Sequence, residues 1–386
     1  MHDDGGRFCA MSRVFLIAVL VFLPMAVQGQ APAKKAPAKA PGKEPVSKPR
    51  FKTIWEPVNV KEDVELMSVR FVSAEEGWVA GGKDVLNGGV ILHTKDGGAT
   101  WEVQIGDPAS SDRAYRELRF LDAVTGFAVQ GTSGGDHKLF RTTDGQNWVP
   151  VGTVGQHRTD YQFTSAQVGF YTGDEKILRT TDGGRKWQTA YVCRVKAEVN
   201  GLTRDVTCQF QKLFFLTANV GYAISSEIDR EAGFVVAKTT DGGMTWNAWV
   251  VLPGENAKEG AMHFFDENSG VLRTLDGKLF RSTDGGQTWT GVPGQTEGKP
   301  EFSFADGEVG WAIKYRKMTY TSDAGKRWLS SAIGFPATVQ TSSLPACDRG
   351  YAAGEHGMVY RYRIVPIEYT SKGMIAAPMI AGPPAK

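Results

Sequence analysis

Six aspartates recur in one short frame and are the most repeated reactive groups in the chain. They stand in HTKDGGATW (93–101), RTTDGQNW (141–148), RTTDGGRKW (179–187), KTTDGGMTW (238–246), RSTDGGQTW (281–289) and YTSDAGKRW (320–328). Asp96, Asp144, Asp182, Asp241, Asp284 and Asp323 each follow a Ser or Thr by two residues and lead through glycine to a Trp, with Ala324 replacing the first glycine of the last copy. Two chemistries are open to such a carboxylate. A general acid or base would need a partner group at every copy. A turn residue instead accepts hydrogen bonds from its own loop, while glycine supplies the positive φ and the Trp buries its ring in the adjoining seam. No partner repeats with the aspartate, which selects a structural fastener.

The position just ahead of each copy is basic. His93, Arg141, Arg179, Lys238, Arg281 and, in the last repeat, Arg361 occupy it, with Tyr320 the exception. In a ring-shaped fold such equivalent positions describe a circle. A circle of guanidiniums can grip an acidic protein loop through charge-assisted contacts. Alternatively, each cation stacks over a neighbouring ring or pairs with a turn carboxylate. A second basic set, Arg70, Arg119, Lys212 and His263, lies beside phenylalanines on strands expected to be innermost. Both sets are candidate partner-binding surfaces.

Enzymatic alternatives find little support. Glu75/Glu76, Asp266/Glu267 and Glu301 are acidic and near loops, but a glycosidase needs two carboxylates at a set separation. No histidine pair has metal-ligand spacing, and no glycine-rich phosphate loop follows a strand. GTSGG (131–135) lacks a His and Asp context and reads as a turn. No catalytic residue, metal or cofactor is assigned, and the chain is read as a non-enzyme.

The elements that position these residues follow from a second phrase that alternates with the first. It reads GWVAG (77–81), GFAVQ (126–130), GFYTG (169–173), GYAIS (221–225), GVLRT (270–274), GWAIK (310–314) and GYAAG (350–354). Short apolar runs lie ahead of it and between the two phrases, so each unit offers four short strands. Four strands per repeat, about seven times, predicts an all-β, seven-bladed β-propeller. The seventh unit ends after its third strand. Residues 51–58, FKTIWEPV, supply the missing one with its Trp, closing the ring and removing a free sheet edge.

The phrase S/T-x-D-G-G-x-T-W resembles the Asp-box of BNR-type propellers, found in sialidases, sortilin-type receptors and several glycoside hydrolases. The combined pattern of GWAVG-like and ILRTTDGG-like phrases resembles the photosystem II stability and assembly factor family and its bacterial relatives, over roughly residues 51–365. That resemblance implies structural boxes away from the active face, and a role in assembling or stabilising a membrane complex by binding a protein partner. A carbohydrate-active or carbohydrate-binding propeller is the alternative. A sialidase would require an arginine triad, a Tyr nucleophile beside a Glu and an acid/base Asp. Its Arg-Ile-Pro phrase is matched only by the interrupted Arg363-Ile364-Val365-Pro366 at the opposite end.

The largest insertion, YVCRVKAEVNGLTRDVTCQF (191–210), centres on Asn200-Gly201, a strong hairpin signal. Pairing about that turn sets Val195 opposite Val206, Lys196 opposite Asp205, and Cys193 opposite Cys208, where a disulfide is expected. Cys347 is left over. The hairpin is expected to protrude and is a natural place for partner-specific contact.

Arg13, the apolar run VFLIAVLVFL (14–23), Pro24 and the small residues up to Gly29 predict a signal peptide over 1–29, with Met11 a candidate true start. Ten apolar residues are too few to span a bilayer, so no transmembrane segment is expected in the mature chain. Residues 30–50 hold six cations against Glu44 and read as an Ala/Pro/Lys-rich linker. The net charge of +2 therefore leaves the folded part mildly acidic, which excludes a domain-wide nucleic-acid surface. The expected product is an exported monomer, periplasmic or otherwise extracytoplasmic, or lumenal in a photosynthetic source. Residues 366–386 are expected to form a flexible tail.

Overall fold

The computed structural model describes residues 51–375, apart from 85, 132–135, 156–159, 226–232, 254, 256–259, 296–300, 332, 367 and 371–372. The expected signal peptide, the linker and most of GTSGG lie outside the described residues. The chain divides into a unit spanning Trp55–Tyr362 and a second comprising Met1–Ile54 with Arg363–Lys386.

The larger unit is a seven-bladed β-propeller of four-stranded antiparallel sheets. Blade 1 runs through Glu65–Phe71, Gly77–Gly82, Val90–Thr94 and Glu102–Gly106. Blades 2 to 6 open with Tyr115–Phe120, Tyr161–Phe163, Phe210–Phe215, Ala261–Phe264 and Glu301–Phe304. Blade 7 takes Val339–Ala346, Arg349–Gly354 and Met358–Pro366 from the end of the chain and Phe51–Asn59 as its outer strand. The closure expected from the mismatched phrase counts is present. Trp55 occupies the place of the missing box tryptophan, its ring 5.2 Å from that of Trp311, and Arg361 pairs with neighbouring Glu56 at 3.1 Å.

The two phrases generate one repeated packing unit. In blades 1 to 6 a phenylalanine closing the inner strand lies across the glycine that opens the next strand: a Cβ on Gly77 would fall 2.4 Å from the Phe71 ring. Glycine is required there by space rather than by φ. The aromatic after the glycine then stacks on the closing phenylalanine of the next blade. Trp78 meets Phe120 at 3.9 Å, Phe127 meets Phe163 at 3.5 Å, Tyr222 meets Phe264 at 3.7 Å, and Tyr351 of blade 7 meets Phe71 at 3.4 Å. The box tryptophan presents its edge to that phenylalanine, as Trp148 does to Phe120 and Trp246 to Phe215. Each such ring pair contributes about 0.5–1.5 kcal/mol beyond its buried area. Val271 interrupts the series, because a valine has no ring to offer Phe304, and so does blade 7, which has no closing phenylalanine, so that Trp311 packs against Trp55 and Tyr362.

The insertion forms the predicted ribbon, Val195–Val199 with Leu202–Val206, in the predicted register. Asn200 and Gly201 both take positive φ, as a two-residue hairpin turn demands. Cys193 and Cys208 are joined by a disulfide with a Cα–Cα distance of 5.4 Å. The ribbon does not stand free: Ala197 and Val199 are buried with Val250 of blade 4, while Leu202–Val206 is largely exposed. Cys347 is disulfide-bonded rather than left over.

In the smaller unit, Glu368–Thr370 and Gly373–Ile375 pair antiparallel, so part of the segment expected to be loose has strand structure.

Candidate functional site

Each Asp-centred turn is a closed hydrogen-bond net. In the fourth, Asp241 Oδ1 accepts from Thr239 Oγ1 and from the N–H groups of Met244 and Thr245, each at 2.9 Å, and Oδ2 accepts from Thr245 Oγ1 at 2.5 Å. Thr239 Oγ1 accepts in turn from Gly243 N–H at 2.9 Å. The Thr245 hydroxyl and N–H hold the Asp241 carboxyl down at about 2. Asp96 and Asp284 repeat the arrangement in full, while Asp182 and Asp323 keep the Oδ1 bonds and have Lys186 and Arg327 in place of the hydroxyl residue, Arg327 Nε donating to Asp323 Oδ2. In the shortened second copy, the Asn147 side chain replaces the hydroxyl donor to Asp144. These carboxylates face their own loops, and the geometry is that of a fastener. Ala324 keeps the left-handed φ of the glycine it replaces.

His93, Arg141, Arg179 and Lys238 lie opposite the second-phrase aromatics in register, while Arg281 faces Val271. Arg141 sits over Phe127 at 5.7 Å, Arg179 over Phe170 at 5.9 Å and Lys238 over Tyr222 at 5.1 Å. His93 stacks on Trp78 at 4.4 Å and bonds Glu76, while burial pulls its pKa below the usual value. Several also reach a carbonyl of the following blade: Arg179 Nε donates to Gly242 O, Lys238 Nζ to Glu267 O, and Arg361 Nη1 to Gly97 O across the closure. These joins go to backbone carbonyls rather than turn carboxylates. Among the described residues, no hydrogen bond engages the Nη groups of Arg141, Arg179 or Arg281.

The inner-strand set is not one circle. Arg70, Arg119 and His263 oppose Trp78, Phe127 and Val271, but the matching residue of blade 4 is Phe214, opposite Tyr222; Lys212 opposes Ile224, two residues away. Arg119 is ion-paired with the buried Asp160 at 2.9 Å and donates to Tyr161 O. Arg70 donates to Ser342 O at 3.2 Å. His263 lies between Phe214 and Phe304, with ring centroids 4.6 and 4.5 Å away, and burial pushes its pKa down to about 4.

These contacts belong to a series of lateral joints, one at every seam. Ser68 Oγ accepts from Leu118 N–H, Asp160 Oδ2 from Leu213 N–H, Gln162 Oε1 from Phe215 N–H and Ser343 Oγ from Phe71 N–H. Ser303 meets Ser342 at 2.8 Å. The sequence reading missed Asp160, Gln162 and the serines because it searched for cations. Their signal is positional: counting back seven residues from each second-phrase glycine gives Arg70, Arg119, Gln162, Phe214, His263, Ser303 and Ser343, and counting back nine gives Ser68, Asp160 and Lys212.

Asp266 Oδ1 accepts from Asn268 and Ser269 N–H groups, and Glu76 is bonded to His93. Glu301 opens the inner strand of blade 6. Among the described residues no group of three or more His, Cys, Asp or Glu could hold a metal ion.

Seven four-stranded sheets held at their turns and joined at their seams define a β-propeller whose repeated carboxylates are hydrogen-bonded within their own turns. No family model and no curated protein matches the sequence. Among solved structures the chain is similar to YCF48 bound to a D1 peptide, at 17% identity over 80% of this chain and 96% of that one, with a TM-score of 0.58. YCF48 from Cyanidioschyzon merolae gives 17% identity, 80% and 98% coverage, and 0.58. Streptogramin B lyase gives 10% identity, 81% and 98% coverage, and 0.60. At these identities the likeness is one of fold, and that fold serves a peptide-bound protein and a lyase alike.

Proposed function

We propose that the chain is an exported, non-catalytic propeller scaffold that binds a protein partner, in the manner of factors that assemble or stabilise membrane complexes. One observation carries this reading. The repeated carboxylates are consumed by turns and seams, whereas Arg141, Arg179 and Arg281 keep uncommitted guanidinium nitrogens. Such groups are suited to gripping the carboxylates of a partner. The peptide-bound propeller of the same fold supports the reading by analogy. The Cys193–Cys208 disulfide supports an oxidising compartment, as does the signal-like pattern over 1–29. The two basic sets narrow accordingly: Arg70, Arg119 and Arg361 are engaged between blades, and His263 is packed between the rings of Phe214 and Phe304.

The test is capture by the tagged mature chain from gently solubilised envelopes, at low and high salt. A specific membrane protein recovered by the wild type, and lost with Arg141, Arg179 and Arg281 changed to Gln, is expected. Background proteins alone in every eluate would overturn the proposal, and glycan binding in its place would favour the carbohydrate alternative.

A further inference from the structure

The third Asp-centred turn carries Arg185 and Lys186 ahead of its Trp. Only the sixth also has two adjacent cations there, and its Arg327 folds back onto Asp323 at 3.1 Å. In the third turn Arg185 Nη1 donates to the Asp182 carbonyl, and the Lys186 side chain is exposed with no partner among the described residues. A groove of about 330 Å³ opens beside this turn, with Arg179 and Lys186 on one side and Gly243 and Met244 of the next blade on the other.

Arg179 is held in place in this groove. Its Nε is fixed by Gly242 O and its plane lies over Phe170, so the two Nη groups are presented with little rotamer freedom left to lose. Arg141 of the preceding blade approaches from the far side of the turn: a Cβ on Gly183 would come within 2.8 Å of its Nη1, and Arg185 lies close enough to lower its pKa further. Asp182 is the single carboxylate on the lining, and its Oδ1 is already occupied by Thr180 Oγ1 and the N–H groups of Arg185 and Lys186. The Met244 side chain, 68% exposed, supplies an apolar wall at the mouth. Two cations on the lining against one carboxylate whose Oδ1 is occupied, with Arg141 and Arg185 behind the same turn, favour an anion. The fork of Arg179 matches a planar carboxylate in particular.

We propose that this groove is a carboxylate-binding site that seats one acidic group of a peptide, either an Asp/Glu side chain or a chain terminus, with its aliphatic stem against Met244. The assignment rests on the docking reading above, and names the chemistry of what is docked.

The measurement is fluorescence anisotropy of the mature chain with a labelled Glu-containing peptide. Its Gln counterpart and its C-terminally amidated form serve as the other arms. Loss on Glu→Gln assigns the side chain, and loss on amidation assigns the terminus; either supports the site. Arg179→Gln with Lys186→Gln is expected to weaken binding at least tenfold. Lys186→Gln alone alters an exposed side chain and is expected to weaken it severalfold without touching the fold, as near-UV circular dichroism would verify. Equal binding of all three peptides, or undiminished binding by both variants, would overturn the site. A membrane protein still captured by the Arg179/Lys186 variant would retain the docking reading while removing this groove from it.

Discussion

Trp78 of blade 1 and Trp148 of blade 2 donate their indole N–H groups to a single acceptor, Gln104 Oε1, at 3.1 and 2.9 Å. Gln104 Nε2 then donates to Gly145 O in the second Asp-centred turn. One outer-strand amide thus ties two tryptophans and a turn across a blade seam. Gln104→Leu strands both donors and is expected to cost roughly 2–4 kcal/mol. Gln104→Glu keeps the acceptor and should fall between. Urea unfolding decides it, and a leucine variant as stable as wild type would show that the shared acceptor contributes nothing.

Arg119 and Asp160 form the buried counterpart of that joint. Removing either leaves the other short of a partner in a seam where Asp160 also accepts Leu213 N–H. Arg119→Ala is expected to destabilise by about 3 kcal/mol, and Arg119→Glu by more. The double change to Ala and Asn should be less severe than the sum of the single changes. A double-mutant cycle with no coupling energy would contradict the joint.

Acid should find His263 early. The unfolded chain takes up a proton near pH 6.5, whereas the folded chain refuses it until about 4. Stability therefore falls as pH drops through that window, by up to roughly 3 kcal/mol, and is unaffected by this group above it. His93, also lowered by burial, acts in the same direction. His263→Phe is expected to flatten the pH dependence of the unfolding midpoint between pH 6.5 and 4. An unchanged slope would place the titrating group elsewhere.

Reduction of Cys193–Cys208 should loosen the hairpin before the propeller. The ribbon is a separate two-stranded sheet, and closing a loop of this length contributes about 3 kcal/mol in the chain-entropy description. Cys193→Ala/Cys208→Ala is expected to admit proteolysis near Asn200-Gly201 while the blades remain protected. Simultaneous loss of both would mean that the hairpin and blade 4 unfold as one unit.

The fold was legible because its signals are local and repeat. A mismatch between seven glycine phrases and six aspartate phrases was enough to locate the closing strand at Trp55. The Asn200-Gly201 turn, by fixing register, was enough to pair Cys193 with Cys208. The site was less legible because its outcome depends on contacts between residues in different repeats. Whether Arg119 is available depends on Asp160, 41 positions away, and Arg70 meets Ser342 across 272. Lys212 looked equivalent to Arg70 until strand register set Phe214 in that place. Arg185 and Lys186 are visible inside a phrase read as a fastener, but that Lys186 shares a groove with Arg179 is seen only in the fold.

Blade 7 draws three strands from the last part of the chain and its outer strand from Phe51–Asn59. The propeller strand made earliest therefore waits for the propeller strand made latest. A nascent chain that has emerged only through blade 6 presents Trp55 without Trp311's finished pocket, and its two terminal blades without lateral neighbours. Such open arcs are prone to pairing with other chains. Ring closure is thereby coupled to completion of the blades: until Met358–Pro366 has been made, Phe51–Asn59 has no strand to pair with.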